Sequence, residues 1–282
     1  MKSLTILIPV KDCENFLELT LRNVLSAKSG IDILVADGGS TDSTLQIIDT
    51  YKLKGLSIQV ISETDTGQSN ALNKLLSEVK TEFFIWLNAD DVILPEFIEY
   101  AVDTINAKPQ KDLDSLISIT SNSILIDSND EFIAYQYCLG DSEYLIKNGI
   151  WFGKFPCRVW NTAMAKQCGG LNEELNYCMD FDFLRRQYIE NINVQSVHSH
   201  KLLGAFRHHT DSKTGNPKNT PLVMAEMVGV LSQTSVQHKF FKSLSLLLRT
   251  TNPRYMFFRF AGQFAWFKAQ GKQVAKKISM AG

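Results

Sequence analysis

The chain has 282 residues, 44% hydrophobic and 21% charged, with 29 Lys and Arg against 30 Asp and Glu for a net charge of −1. This is the profile of an ordinary globular protein with ample core, and no apolar run approaches the roughly 20 residues that span a bilayer. Five cysteines, odd in number and without CxxC spacing, argue against a disulfide framework or a zinc site and for a reducing compartment. Met1-Lys2-Ser3 leads straight into an apolar segment with no cleavage site, so a cytoplasmic location is expected. The charge is split unevenly: from His238 onward there are nine Lys or Arg and no acid, leaving 20 basic against 30 acidic residues before it.

In chain order, Leu4–Val10 (LTILIPV) is a continuous apolar run and predicts a buried first strand. Phe16, Leu17, Leu21, Val24 and Leu25 then mark one face of a helix. Ile31–Ala36 predicts a second strand, ending in Asp37-Gly38-Gly39-Ser40-Thr41-Asp42, from which a helix starts near Ser43 and runs to Lys52. Leu56–Ile61 predicts a third strand, Ser69–Val79 a helix, and the aromatic run Phe83–Leu87 a fourth strand. Strands alternating with helices at this spacing predict an α/β protein with a mostly parallel, Rossmann-like sheet flanked by helices.

The strand ends carry the chemistry. Asp12, Asp37, Asp65 and the pair Asp90-Asp91 each follow a predicted strand, so they should gather along the carboxyl edge where open α/β sheets bind ligands. Acidic loops crowded at one edge need a cation or hydrogen-bond donors to offset them. Adjacent carboxylates are hard oxygen ligands suited to Mg²⁺ or Mn²⁺.

The segments IPVKD, VADGGSTDST, ETDTGQSNALNK and WLNADD, in that order, resemble the N-terminal half of a family 2 glycosyltransferase of GT-A fold. The resemblance continues through Gly169-Gly170-Leu171-Asn172-Glu173-Glu174-Leu175, Met179 to Arg186 and Phe206 to Thr214. It implies a domain over residues 1–215, with a nucleotide-binding half (1–105) and an acceptor half (106–215), and a helical basic extension over 216–282.

By this resemblance, Pro9, Asp12 and Asp37 line the pocket for the nucleotide base, and Asp65, Gly67 and Gln68 form a DxG turn that contributes to it. Asn88 stands where the family's DxD motif has its first acid; it is assigned to a ribose or sugar hydroxyl. Metal ligation, by Mn²⁺ or Mg²⁺, is assigned to Asp90, Asp91 and His209, with His208 as the neighbouring alternative and the choice between the two aspartates open. Arg207 and Lys213 are expected to meet the diphosphate, and Thr214–Pro221 to close over the donor. Asp180 is nominated as catalytic base, with Asp182 as second choice and a helix N-cap as the plain alternative for Asp180.

The expected reaction is metal-dependent, inverting transfer of a sugar from a nucleotide donor, most simply a UDP-sugar, to a saccharide or lipid-linked saccharide acceptor. A silent nucleotide- or glycan-binding subunit and a sugar nucleotidyltransferase are the alternatives. Trp151, Phe152, Phe155, Pro156 and Trp160 form an aromatic cluster suited to core packing or to an acceptor sugar. The tail mixes Phe257, Phe258, Phe260, Phe264, Trp266 and Phe267 with Arg254, Arg259 and Lys268. It is expected either to lie peripherally on an anionic membrane at the cytoplasmic face, through 238–282, or to pack on the domain. A nucleic-acid partner is not expected, because the rest of the chain is acidic.

Overall fold

The computed structural model of the protein describes residues 4–136, 140–148, 156–210, 212–213, 216–232 and 265–280. Trp151, Phe152 and Phe155 of the aromatic cluster, Thr214 and Gly215 of the proposed lid, and tail residues 233–264 lie outside the described residues, as do the side chains of Trp266, Phe267 and Lys268.

The first half follows the alternation read from the sequence. Strands β1 (Leu4–Val10), β2 (Asp32–Asp37), β3 (Ser57–Ser62) and β4 (Phe83–Trp86) alternate with helices α1 (Leu17–Leu25), α2 (Thr44–Leu53) and α3 (Gln68–Glu78). The strands lie in the order β3-β2-β1-β4, all parallel. Element ends shift by about one residue from the sequence expectation, because pairing with neighbouring strands sets where a strand stops. The apolar run of β1 is buried throughout, as both faces of the sheet are covered.

Two cores result from the period-2 alternation of each strand. Leu4, Ile6 and Ile8 pack against Leu17, Leu21 and Val24 of α1 on one face. Phe97, Ile98 and Ala101 of α4 (Pro95–Asn106) complete that layer. Leu7, Phe84 and Trp86 face the other way, onto Ala71, Leu72 and Leu75 of α3 and Phe183 and Leu184 of a later helix.

Beyond β4 the sheet becomes mixed. The chain passes through β5 (Val92–Ile93), α4, α5 (Gln110–Asp114), β6 (Leu116–Ile126), β7 (Phe132–Gln136) and α6 (Glu143–Lys147). It continues through β8 (Arg158–Asn161), α7 (Thr162–Gln167), α8 (Met179–Glu190) and β9 (Gln195–Arg207). Strand β8 runs antiparallel to both β4 and β6, β9 runs parallel to β6, and β5 caps the edge antiparallel to β9. Strands β6 and β7 form a hairpin, which requires antiparallel pairing. This second half could not be read from periodicity in the way the first half could.

Both described helices of residues 216–282 pack on the rest of the protein. Helix α9 (Thr220–Ser232) buries Met227, Val230 and Leu231 against Phe181 and Cys178. Helix α10 (Ala265–Met280) buries Ala275 and Ile278 among Leu19, Val92, Ile124 and Ala205. A Cβ at Gly271 would stand 2.2 Å from the Phe132 ring, so the helix approaches β7 where only glycine fits. Lys277 pairs with Glu96, and Arg22 donates to the Ser279 carbonyl. The apolar stripe of α10 is therefore spent on the sheet, and packing on the domain is the outcome for this part of the tail. Among the described residues, no helix is long and apolar enough to cross a membrane.

Truncating Ile278, which has no exposed surface, to Ala should destabilise the protein by about 2–4 kcal/mol, the usual range for a buried aliphatic. Truncating the exposed Lys272 should leave the melting temperature nearly unchanged, and differential scanning calorimetry of the two variants checks both.

Candidate active site

The parallel registers bring the carboxyl ends of β1, β2, β3 and β4 to one edge: Val10 lies opposite Asp37, Asp37 opposite Ser62, and Leu7 opposite Trp86. The loops after β1 and β2 are laced together. Asp12 Oδ1 accepts from Thr41 N (2.7 Å), the Asp12 amide donates to Ser40 Oγ (2.9 Å), and Glu14 N donates to Asp42 Oδ2 (2.9 Å). Asp12 itself adopts a left-handed φ of 46°, a conformation Asp tolerates better than most residues.

Asp37 is buried and accepts from Ser40 N (3.1 Å) and Ser62 Oγ (3.3 Å). Asp65 lies directly over Gly38: a Cβ there would meet Asp65 Oδ2 at 2.6 Å, so the glycine is what admits the carboxylate. Asp65 Oδ1 accepts from Gly67 N (3.0 Å), closing the turn before α3. Pro9 is buried in β1 beside this edge. The residues nominated for the base pocket and the DxG turn are thus brought together.

At the end of β4 the side chains divide into two roles. The Asn88 carbonyl oxygen accepts from Trp86 Nε1 and Gln68 Nε2, both at 2.8 Å, and its amide donates to Asp91 Oδ2 at 3.0 Å. Asp91 has no exposed surface, and its Oδ1 accepts the Arg207 backbone N–H at 2.9 Å. Burial, and then the neighbouring charge of Asp90, hold the Asp91 carboxyl well above the ordinary carboxylate range. Asp90, by contrast, is partly exposed and faces His209, with Oδ2 3.0 Å from Nε2.

Three of the nominated residues make their contacts within the protein. Asn88 and Asp91 are turned inward, because a buried carboxylate needs donors and Asn88 is one of them. Arg207 is also turned inward. Its Nε donates to Asp90 O (2.9 Å), its Nη1 donates to Asp127 O (2.9 Å) and Asp130 Oδ1 (2.6 Å), and its guanidinium lies 4.7 Å from the centre of the Phe16 ring. It braces the acidic loop from behind, where sequence reasoning set it against a diphosphate. Thr20 of α1 makes a further brace that sequence reasoning missed, its buried hydroxyl donating to the carbonyls of Asp91 (2.7 Å) and Ala89 (2.9 Å). Burial pushes the nearby Cys13 thiol up to about 12, with the Asp90 charge adding to it, so this cysteine stays protonated.

Asp90 Oδ2 and His209 Nε2, at 3.0 Å, are in direct hydrogen-bond contact, so the structure brings together two of the residues nominated as metal ligands. Among the described residues there is no cluster of three or more His, Cys, Asp or Glu placed to hold a metal. The carboxylate of Asp90 is a hard oxygen donor of the kind Mg²⁺ and Mn²⁺ take together with phosphate oxygens and water, while His209 offers an imidazole nitrogen. The His209 ring rests 4.8 Å from Phe16, and its buried Nδ1 has no partner among the described residues. His208 is held by its backbone, donating to Ile126 O at 2.8 Å.

On the acceptor side, two motifs prove to be halves of one contact. Gly169 and Gly170 take φ of 77° and 73°, and a Cβ on Gly170 would meet Asn73 Oδ1 at 2.5 Å. Asn73 of α3 donates to Leu171 O (3.0 Å) and accepts from Leu171 N (2.8 Å), while Asn70 donates to Glu173 (3.0 Å). The NALN of the third segment thus holds the GGLNE turn that leads to α8. Arg186 secures the same turn through Cys168 O (2.5 Å) and Gly170 O (2.7 Å).

Asp182 is buried and paired with Arg186 Nε at 2.7 Å. Asp180 is not the N-cap of α8, since Cys178 holds that position; its Oδ1 accepts from Phe181 N at 2.7 Å. Lys213 Nζ donates to Asn176 O (3.3 Å) near the carboxylates of Asp65 and Glu226, so it stands between the donor turn and the segment before α8. A buried ion pair, Asp141 with Arg158 at 2.5 and 2.6 Å, ties β8 to the segment before α6. Nothing in the sequence signalled it.

Comparison with known proteins agrees with this architecture. Over 269 residues the chain is 24% identical to an uncharacterized glycosyltransferase of Rickettsia prowazekii, spanning 87% of this chain and 79% of that protein. Residues 1–349 of Staphylococcus aureus TarS, solved in complex with UDP-GlcNAc, superpose with a TM-score of 0.64 at 16% identity, over 99% of this chain and 81% of that one. Glucosyl-3-phosphoglycerate synthase of Mycobacterium tuberculosis, solved with Mg²⁺ and UDP, gives 0.55 at 12% identity over 82% and 80% of the two chains. At such identities these likenesses establish the GT-A fold. The family model for glycosyl transferase family 2 matches residues 5–157, more than half of the chain, and the protein is a glycosyltransferase belonging to that family.

Proposed function

We propose that the protein transfers a sugar from a UDP-sugar to a saccharide or lipid-linked saccharide hydroxyl, with inversion at the anomeric carbon. The observation that carries this reading is the direct contact of Asp90 with His209 after β4, on the sheet edge where the parallel strands also end near Asp37 and Ser62. Pro9, Asp12 and Asp37 receive the base, with Asp65, Gly67 and Gln68 alongside, and the relatives of known structure bound to UDP-GlcNAc or to UDP with Mg²⁺ support that choice. Asp90 and His209 would hold Mn²⁺ or Mg²⁺, which would supply Lewis-acid compensation for charge growing on the leaving diphosphate. Asp91 and Arg207 keep Asp90 in place, and Lys213 is a cation near the turn at Asp65.

Asp180 accepts the proton of the acceptor hydroxyl as its oxygen attacks the anomeric carbon and the bond to the diphosphate oxygen breaks. A cytoplasmic site of action, with residues 238–264 touching an anionic membrane face, belongs to the same proposal. The silent-subunit alternative drew its weight from Asn88 in place of an acid. The Asn88 bond to Asp91 gives the amide a structural reason, since a carboxylate at 88 would face a second, buried carboxylate, and so supports the active reading.

In calorimetric titration with UDP-sugars, binding should require Mn²⁺ or Mg²⁺ and be lost with EDTA, and Asp90→Asn or His209→Ala should weaken it at least about tenfold. Metal-independent binding would remove the assigned site. Asp180→Asn should bind donor as the parent does while transfer falls by about 10²–10⁴, the usual weight of a general base. Asn88→Asp should destabilise the fold by about 1–3 kcal/mol through the unsatisfied pair it creates, read as a lower urea midpoint.

A further inference from the structure

The loop that precedes α8 is gripped from the C-terminal region. Glu226 of α9 accepts three consecutive backbone N–H groups: Oε1 takes Asn176 N, and Oε2 takes Tyr177 N and Cys178 N, each at 2.6 Å. Charged bonds of this kind are about twice as strong as neutral ones, and a carboxylate also suits the positive end of the helix that follows. The apolar side of α9 closes over the same place, with Met227, Val230 and Leu231 against Cys178 and Phe181. Lys213, within reach of the Glu226 charge, holds the Asn176 carbonyl. Glu226 lies beyond the residues matched by the family model.

We propose that Glu226 is a positioning residue for catalysis: by holding Asn176–Cys178 it sets where the first turn of α8 presents Asp180. The inference rests on the assignment of Asp180 as base. A helix cap satisfies one or two amides, whereas three from one carboxylate set both the place and the direction of the loop. Asp180 is two residues past the last of them. Its carboxylate is tied to the first turn through Phe181 N, so it moves with that turn. Without Glu226 the three donors lose a common acceptor and the turn can shift. A displacement of about 1 Å at a reacting group costs on the order of 10²-fold in rate.

The test is steady-state kinetics of Glu226→Ala and of the near-isosteric Glu226→Gln, with donor affinity measured by calorimetry. The expected result is a kcat lower by about 10- to 100-fold with donor Kd unchanged, and recovery of Glu226→Ala by added formate or acetate, which can occupy the vacated cradle. Asp180→Asn should show no such recovery. Should Glu226→Ala fail to fold, Glu226→Gln carries the same kinetic reading, since it keeps the volume and offers only one acceptor oxygen. An unchanged kcat in these variants, or a loss that small carboxylates do not restore and that tracks a lowered melting temperature, overturns the proposal. If Asp180→Asn keeps full transfer, the base assignment fails, and Glu226 loses this role with it. If Asp180→Asn is inactive while Glu226→Ala is fully active, only the role of Glu226 fails.

Discussion

The buried carboxylate of Asp91 is the constraint on which the site depends. A charge or acid without exposed surface is tolerated only with donors around it, and here they come from elements far apart in the chain. Asn88 comes from the end of β4, the Arg207 amide from the last residue of β9, and Thr20 of α1 holds the backbone carbonyl of Asp91 itself. Satisfying Asp91 therefore requires β4, β9 and α1 to be in place together. The same requirement leaves Asp90, one residue earlier, turned outward toward His209. One residue of the acidic pair is structural so that the other can be presented.

A second constraint joins the two halves of the domain. Helix α3 begins at the donor turn, at Gln68 just after Gly67, and with Asn70 and Asn73 it holds the Gly-Gly turn that leads to α8. The left-handed glycines at 169 and 170 allow the close approach. The turn at Asp65–Gly67 and the segment leading to α8 are thus held on one helix. Glu226 and Lys213 clamp the far side of the same segment, so the loop before α8 is held from both directions. Positioning of this kind is where distant residues affect rate, since small displacements of a reacting group are costly.

Much of the fold was legible because its first half is local and periodic. Apolar runs in β1 and β4 had to be covered on both faces, and the helical stripes between strands predicted parallel crossovers. The mixed second half was not legible. Its strands β6, β8 and β9 pair across long separations, and nothing in their composition declares direction. Residues of the site followed the same division. Asp37, Asp65 and Gly67 make contacts within or beside their own turns, which local sequence already brings together, whereas Arg207 meets Asp91 across 116 residues, a contact that strand order alone sets up.

The sequence by itself determined the chemistry available at the edge of the sheet: carboxylates after each strand, a histidine late in the domain, and an acidic residue opening α8. It also determined that the strand-end carboxylates of the first half would share one edge, since parallel strands present all their carboxyl ends on one side. Only the tertiary structure decided which of them face outward. A polar side chain turns toward whatever donors lie within about 3 Å, and that neighbourhood is set by strand order and packing across the whole chain. So Asp90 rather than Asp91 meets His209, Asp182 pairs with Arg186 and leaves Asp180 at the helix start, and Glu226 finds three amides some fifty residues away.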